Sequence, residues 1–175
     1  MAAFQEECIL TVFKGYDVDV INPSGGSEKV TLSLWDVDYT ENEGYERIRP
    51  LTYTETNVVL LCRLLWIYIE GVHRGDENIE AIWKSELKQY CPKVPIILVG
   101  TKYDFRDLSL TVRDKLTAFD EGVDLARKIG AVEYMECSAK TGKGVKELFE
   151  RAVKVGYKHW RGQQQKKNAG SCQLM

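Results

Sequence analysis

The chain has 175 residues, 44% of them hydrophobic and 29% charged, with a formal net charge of -2. That length suits one compact domain with a core, and the near-neutral balance excludes the broad positive field that draws a whole domain onto nucleic acid. The five cysteines, Cys8, Cys62, Cys91, Cys137 and Cys172, form no C-x-x-C pair and are odd in number, which argues against a disulfide framework or a zinc site and fits a reducing compartment. In chain order, the opening MAAFQEECIL lacks the basic-then-apolar order of a signal peptide. Residues 18–21 and 30–35 read as strands separated by the turn-rich Asn22-Pro23-Ser24-Gly25-Gly26-Ser27, a hairpin with a longer loop. The apolar runs at 57–62 and 94–100 do not alternate, which suits parallel strands covered on both faces. The stretch 58–72 contains Arg63 and Glu70 and is too short and too charged to span a bilayer.

Between those runs, residues 77–90 place Ile79, Ile82, Trp83, Leu87 and Tyr90 at helical spacing. A second helical stripe, Val123, Leu125, Ala126 and Ile129, lies in 121–129 and stops at Gly130. Residues 131–137 read as a strand. Residues 145–157 read as a helix with Val145, Leu148, Phe149, Ala152 and Val153 on one face. After Trp160 the composition turns polar, as in a flexible tail over 161–175. His73 and His159 stand alone, the pattern of surface or core histidines rather than of a metal site. Strand–helix alternation after a hairpin predicts an α/β open sheet, three layers with mostly parallel strands, in which ligands bind at the carboxyl ends of the strands.

The loops at those ends carry the chemistry. Gly100 is followed by Thr101-Lys102-Tyr103-Asp104, Cys137 by Ser138-Ala139-Lys140, and Trp35 by Asp36. Their order and spacing resemble N/T-K-x-D, S-A-K and D-x-x-G of the guanine-nucleotide-binding small GTPases. A carboxylate at Asp104 can accept hydrogen bonds from the ring N–H and exocyclic amine of guanine, a donor pair that adenine lacks. T-K-x-D alone is a weak signal; joined to S-A-K, each after an apolar strand, it is specific.

Thr11-Val12-Phe13 with Tyr16 resembles a Rho-type effector loop, T-V-F-x-x-Y. Leu34-Trp35-Asp36, the run 45–53, the run 91–100 and Tyr134-Met135-Glu136-Cys137-Ser138-Ala139-Lys140 are similar to Rho and Rac proteins, so the similarity runs from about Phe4 to the C-terminus. The resemblance implies the P-loop NTPase small G domain over 1–160. It implies a guanine site of Thr101, Lys102, Asp104, Ser138, Ala139 and Lys140, with the Lys102 stem along base and ribose and the Ala139 amide on the guanine carbonyl oxygen. Thr11 and Asp36 would serve magnesium, with GTP or GDP as cofactor. Val12, Phe13 and Tyr16 would meet effectors. Exchange factors, GTPase-activating proteins and a dissociation inhibitor are the other implied partners, and the implied role is GTP/GDP-switched signalling to actin or cell polarity. The extra helix of Rho proteins would occupy 107–120 in shortened form.

Cys172-Gln173-Leu174-Met175 matches C-a-a-X, and a terminal Met favours farnesyl. Lys166 and Lys167, with Lys154, Lys158 and Arg161 nearby, add roughly 1 kcal/mol each near an anionic leaflet. Reversible attachment to the cytoplasmic face of the plasma membrane or endomembranes follows, in exchange with the cytosol.

Three departures stand against the family pattern. The first strand and G-x-x-x-x-G-K-S/T do not occur; Gly25-Gly26 is followed by Ser27-Glu28. The match begins after the first helix, leaving about 25 residues unrepresented, with the phosphate-cradling amides, the lysine and one magnesium hydroxyl among them. Without its central strand such a sheet is left in two halves, and an aggregation-prone chain is expected. After Asp36 the sequence runs Val37-Asp38-Tyr39, with Tyr39 where the γ-phosphate-sensing glycine belongs and no glutamine to orient water. The segment 63–76 is about five residues longer than the pattern. No residue is therefore assigned a catalytic role. Two accounts stay open: a fragment or mis-spliced product of an active Rho GTPase, or a non-hydrolysing, lipid-anchored interaction protein.

Overall fold

The structure, a computed structural model, describes residues 13–27, 29–37, 49–65, 79–107 and 116–170. The chain divides into two compact units, Met1–Thr56 and Asn57–Met175.

In the first unit, β1 (Phe13–Ile21) and β2 (Lys29–Val37) pair antiparallel, from Phe13↔Val37 to Ile21↔Lys29. Both expected strands form, and each is longer than the apolar run that marks it, because backbone pairing continues past the last large apolar side chain. The turn closes on Asn22, whose Oδ1 accepts the Ser24 amide at 2.9 Å and whose carbonyl accepts the Gly25 amide at 3.0 Å. Gly25 takes φ +81° there, a conformation that suits glycine. One face of the hairpin is polar: Ser33 donates to Asp17 at 2.5 Å and Thr31 to Asp19 at 3.3 Å. By alternation the other face carries Tyr16, Val18, Val20, Val30, Leu32 and Leu34.

The second unit holds the α/β core. β3 (Val59–Leu64), β4 (Ile96–Thr101) and β5 (Glu133–Glu136) form a parallel sheet in that order. The parallel, helix-covered arrangement expected from the apolar runs is present. β3 lies two residues later than the run 57–62, since the first ladder bond is Val59 N–H to the Pro95 carbonyl at 3.0 Å. Among the described residues β2 and β3 belong to separate sheets.

The helices cover the two faces of the parallel sheet. Toward one face, α3 (Val145–Gly170) sends Leu148 and Ala152 into a buried cluster with Ile97, Val99 and Cys137, flanked by Leu60, Met135 and Val58. On the other face α2 (Phe119–Ile129) packs against β4 and β5 with Leu125, Ala126 and Ile129 buried. It starts two residues before the expected 121 because the Glu121 carboxylate accepts the Ala118 amide at 2.9 Å. It ends at Gly130, φ +78°, where the Ala131 amide donates to Ala126 at 2.9 Å. The expected helix at 77–90 appears as a π-helical turn, Ile79–Trp83, running into α1 (Lys84–Tyr90). Ile79 and Leu87 are buried as expected, but Tyr90 is 48% exposed; residues 77 and 78 lie outside the described residues.

One expectation changes. Residues 161–170, read as the beginning of a flexible tail, continue α3, which is 26 residues long. Gln, Lys and Arg are good helix formers, and a polar run is no obstacle on a helix face turned to water. His159 and Gln163, one turn apart, meet at 2.7 Å, and Arg161 lies over the Tyr157 ring at 6.0 Å. The extra helix expected over 107–120 falls mostly outside the described residues, which stop at Asp107, the end of a 3-10 turn (Tyr103–Asp107), and resume at residue 116, ahead of α2. No described helix is long and apolar enough to cross a membrane.

Tyr134 is wedged between two glycines. A Cβ on Gly100 would meet its hydroxyl, and one on Gly122 would overlap its ring. Gly122→Ala should lower unfolding stability by about 1–3 kcal/mol. Gly162→Ala, in α3 with open space around it, should raise it by about 0.5–1 kcal/mol. Urea denaturation of the two variants checks both signs.

Candidate functional site

β4 and β5 are neighbours in parallel register, so their carboxyl ends leave the sheet side by side, with Gly100 opposite Glu136. Beyond β4, Thr101 is half-buried and its hydroxyl donates to the Arg63 carbonyl at 2.9 Å. Lys102 then turns the chain with φ +60°, a left-handed conformation that costs a side chain with a Cβ about 1–2 kcal/mol. The turn delivers the chain into the single 3-10 turn Tyr103–Asp107. Beyond β5, Ser138 is fully buried, and the loop 139–143 lies exposed before α3.

The two loops are stitched together. The Tyr103 amide donates to the Cys137 carbonyl at 3.0 Å, and the Cys137 amide to Gly100 at 2.8 Å. The Ser138 hydroxyl donates to Asp104 Oδ1 at 2.6 Å. Ser138 Oγ also accepts the Thr141 amide at 3.2 Å, while the Ser138 amide donates to the Lys143 carbonyl at 2.9 Å. Gly144, at φ +73°, closes this loop; a Cβ there would run into the Glu136 carbonyl. Asp104 is half-buried, and its Oδ2 takes no hydrogen bond from a described residue. Lys143 Nζ stands 4.0 Å above the Tyr103 ring and Lys102 Nζ 5.8 Å from the Phe105 ring. Both ammonium groups are thus held beside the Asp104 loop. Burial pushes the Cys137 thiol pKa up, which keeps this thiol protonated and inert.

A model of the Ras family matches residues 1–158. The chain belongs to the Ras family. Ras-family proteins are small GTPases that bind GTP or GDP with magnesium and interact with regulators and effectors.

Of the site residues expected from sequence, Thr101, Lys102, Asp104, Ser138, Ala139 and Lys140 come together at the ends of β4 and β5, with Ala139 and Lys140 exposed. Asp36 is exposed on β2 and pairs in register with Lys14; Tyr16, 48% exposed, lies on β1. These belong to the first unit and the loops after β4 and β5 to the second. Phe13 opens β1, while Thr11, Val12 and Cys172 lie outside the described residues. Among the described residues no group of three or more His, Cys, Asp or Glu side chains could hold a metal ion.

Sequence reasoning missed a polar cluster behind the loop after β4: Arg63, Arg106, Thr117, Tyr134 and Glu136. Its one visible signal was Arg63, a charge inside an apolar run. The strain at Lys102 gives a direct test. Lys102→Gly relieves it, whereas Lys102→Ala keeps it, and the glycine variant should be the more stable by about 1 kcal/mol. Thermal unfolding compares them.

Proposed function

We propose that this Ras-family chain is a Rho-type GTP-binding protein that recognises guanine through Thr101, Lys102, Asp104, Ser138, Ala139 and Lys140. The observation that carries this reading is the Ser138–Asp104 hydrogen bond at 2.6 Å. It fixes the orientation of the carboxylate through one lone pair of Oδ1 and leaves Oδ2 and the second lone pair of Oδ1 to the base. Asp104 accepts from the ring N–H and the exocyclic amine of guanine. Adenine offers no such pair, and a half-buried carboxylate left without donors is costly, so the site discriminates between the purines. The Ala139 amide, on the exposed loop after Ser138, donates to the guanine carbonyl oxygen. The Lys102 stem covers the base.

The Rho branch rests on the sequence: Thr11-Val12-Phe13 with Tyr16, the Leu34-Trp35-Asp36 run and the segment 91–100. In this reading Thr11 and Asp36 serve magnesium, and Val12, Phe13 and Tyr16 meet effectors when GTP is bound. Exchange factors, GTPase-activating proteins and a dissociation inhibitor act on the same domain, with signalling to actin and cell polarity as output. Cys172 carries the prenyl group. Lys154, Lys158 and Arg161, all exposed at helical spacing on α3, add attraction to an anionic leaflet.

A second reading has its own observation. Asp36-Val37-Asp38-Tyr39 replaces the glycine of D-x-x-G, and no glutamine follows. A chain without those groups cannot sense the γ-phosphate or orient water in the family's manner, which favours a non-hydrolysing, lipid-anchored interaction protein.

Titration of the full chain with a fluorescent guanine nucleotide separates the readings. Binding that weakens about a hundredfold in Asp104→Asn supports the guanine site; no binding by the unaltered chain favours the second. Under either reading Cys172→Ser should move the protein from the membrane pellet to the supernatant on cell fractionation, and a variant that stays in the pellet refutes prenyl anchoring.

A further inference from the structure

Behind the Ser138–Asp104 contact a second link joins the same two loops. Arg106, two residues past Asp104, sets its guanidinium fork on Glu136, two residues before Ser138. Nη2 reaches Oε1 at 2.5 Å and Nε reaches Oε2 at 2.9 Å. The Glu136 side chain is 6% exposed and that of Arg106 22%. Glu136 Oε1 also accepts the Tyr134 hydroxyl at 2.8 Å. Arg106 Nη2 donates again, to the Thr117 carbonyl at 2.8 Å. Thr117 is fully buried; its Oγ1 accepts Arg63 Nη2 at 2.6 Å and its amide donates to Leu65 at 3.0 Å.

The chemistry of this chain of contacts is directional. A forked arginine–carboxylate pair is satisfied in one orientation only. With Glu136 almost out of water, tilting Arg106 away would strand a buried charge. Arg106 shares its turn with Asp104, and that turn is braced by the Phe105 amide on the Lys102 carbonyl at 3.0 Å. Arg106 therefore cannot shift without moving the turn that carries Asp104.

We propose that Arg106, clamped between Glu136 and the Thr117 carbonyl, is a positioning residue that aims Asp104 at the base, so that purine selectivity depends on a side chain that does not touch the nucleotide. This rests on the guanine-site reading above. The contacts on Thr117 extend the clamp to β3 through Arg63 and to the segment entering α2, so the base loop is referred to all three strands of the sheet.

The test uses the full chain with Glu136→Gln, which keeps the shape and removes the charge, and Arg106→Lys, which keeps the charge and removes the fork. If the first does not fold, the second carries the test. Two quantities are measured. One is native-state hydrogen exchange at the Tyr103 and Phe105 amides, with the α3 amides as internal reference. The other is the ratio of affinities for GDP and inosine diphosphate, whose base lacks the exocyclic amine. Both variants should speed exchange at Tyr103 and Phe105 by about tenfold while α3 is unchanged, and reduce the preference for GDP by about tenfold. Unchanged exchange at those amides overturns the proposal. So does faster exchange with the GDP preference intact, which would make the pair a structural brace only. If the unaltered chain binds neither nucleotide, the guanine reading fails by itself. Exchange at Tyr103 and Phe105 then decides whether Arg106 positions the turn: faster exchange supports it and unchanged exchange overturns it.

Discussion

β4 is hydrogen-bonded along both edges and covered on both faces, and the geometry of the second unit follows from it. Ile97, Leu98 and Val99 have no exposed surface. Their side chains alternate between the cluster under α3 and the layer under α2, so one six-residue strand anchors both helical layers. Parallel pairing with β5 then sets Gly100 opposite Glu136 and brings two loops far apart in sequence to the same edge. A disturbance of β4 would alter the register of β5 and with it the spacing between Asp104 and Ser138.

The apolar core ends where β4 leaves the sheet, and there the chain changes from apolar packing to polar contacts such as that of Arg106 with Glu136. Tyr134 stands at that border. Its ring fills the space left by Gly100 and Gly122 and lies 5.3 Å from that of Phe119. Its hydroxyl reaches Glu136. Burial first, and then the hydrogen bond to Glu136, push its pKa up, so the hydroxyl stays a neutral donor. Arg106 answers the charge of the same carboxylate, and the hydrogen bond to Glu136 pushes the arginine's pKa up as well. Polar groups buried this far are tolerable when each has a partner. Their reward is orientation rather than stability.

Much of this was legible in the sequence. Non-alternating apolar runs foretold parallel strands, Gly130 marked the end of α2, and the motifs after Gly100 and Cys137 singled out two loops that the structure brings together. The illegible parts have definite causes. α3 runs past the composition break at Trp160 because polarity in a sequence reports exposure and not the absence of helix. Tyr90 fits a helical stripe but is exposed, since periodicity shows which residues share a face and not how far the opposing layer extends. Arg63 read as an interruption of an apolar run, yet it is 6% exposed with Thr117 as a partner 54 residues away.

The sequence by itself determined the α/β class, the membership of the family and the residues that follow the strands ending at Thr101 and Glu136, because local periodicity and motif spacing are properties of neighbouring residues. Only the tertiary structure decided that Ser138 holds Asp104 across 34 residues and that Arg106 holds Glu136 across 30. Those contacts depend on parallel register and on loops closing at one edge of a sheet, a long-range choice made by burial of β4 and not written in any local stretch of the chain.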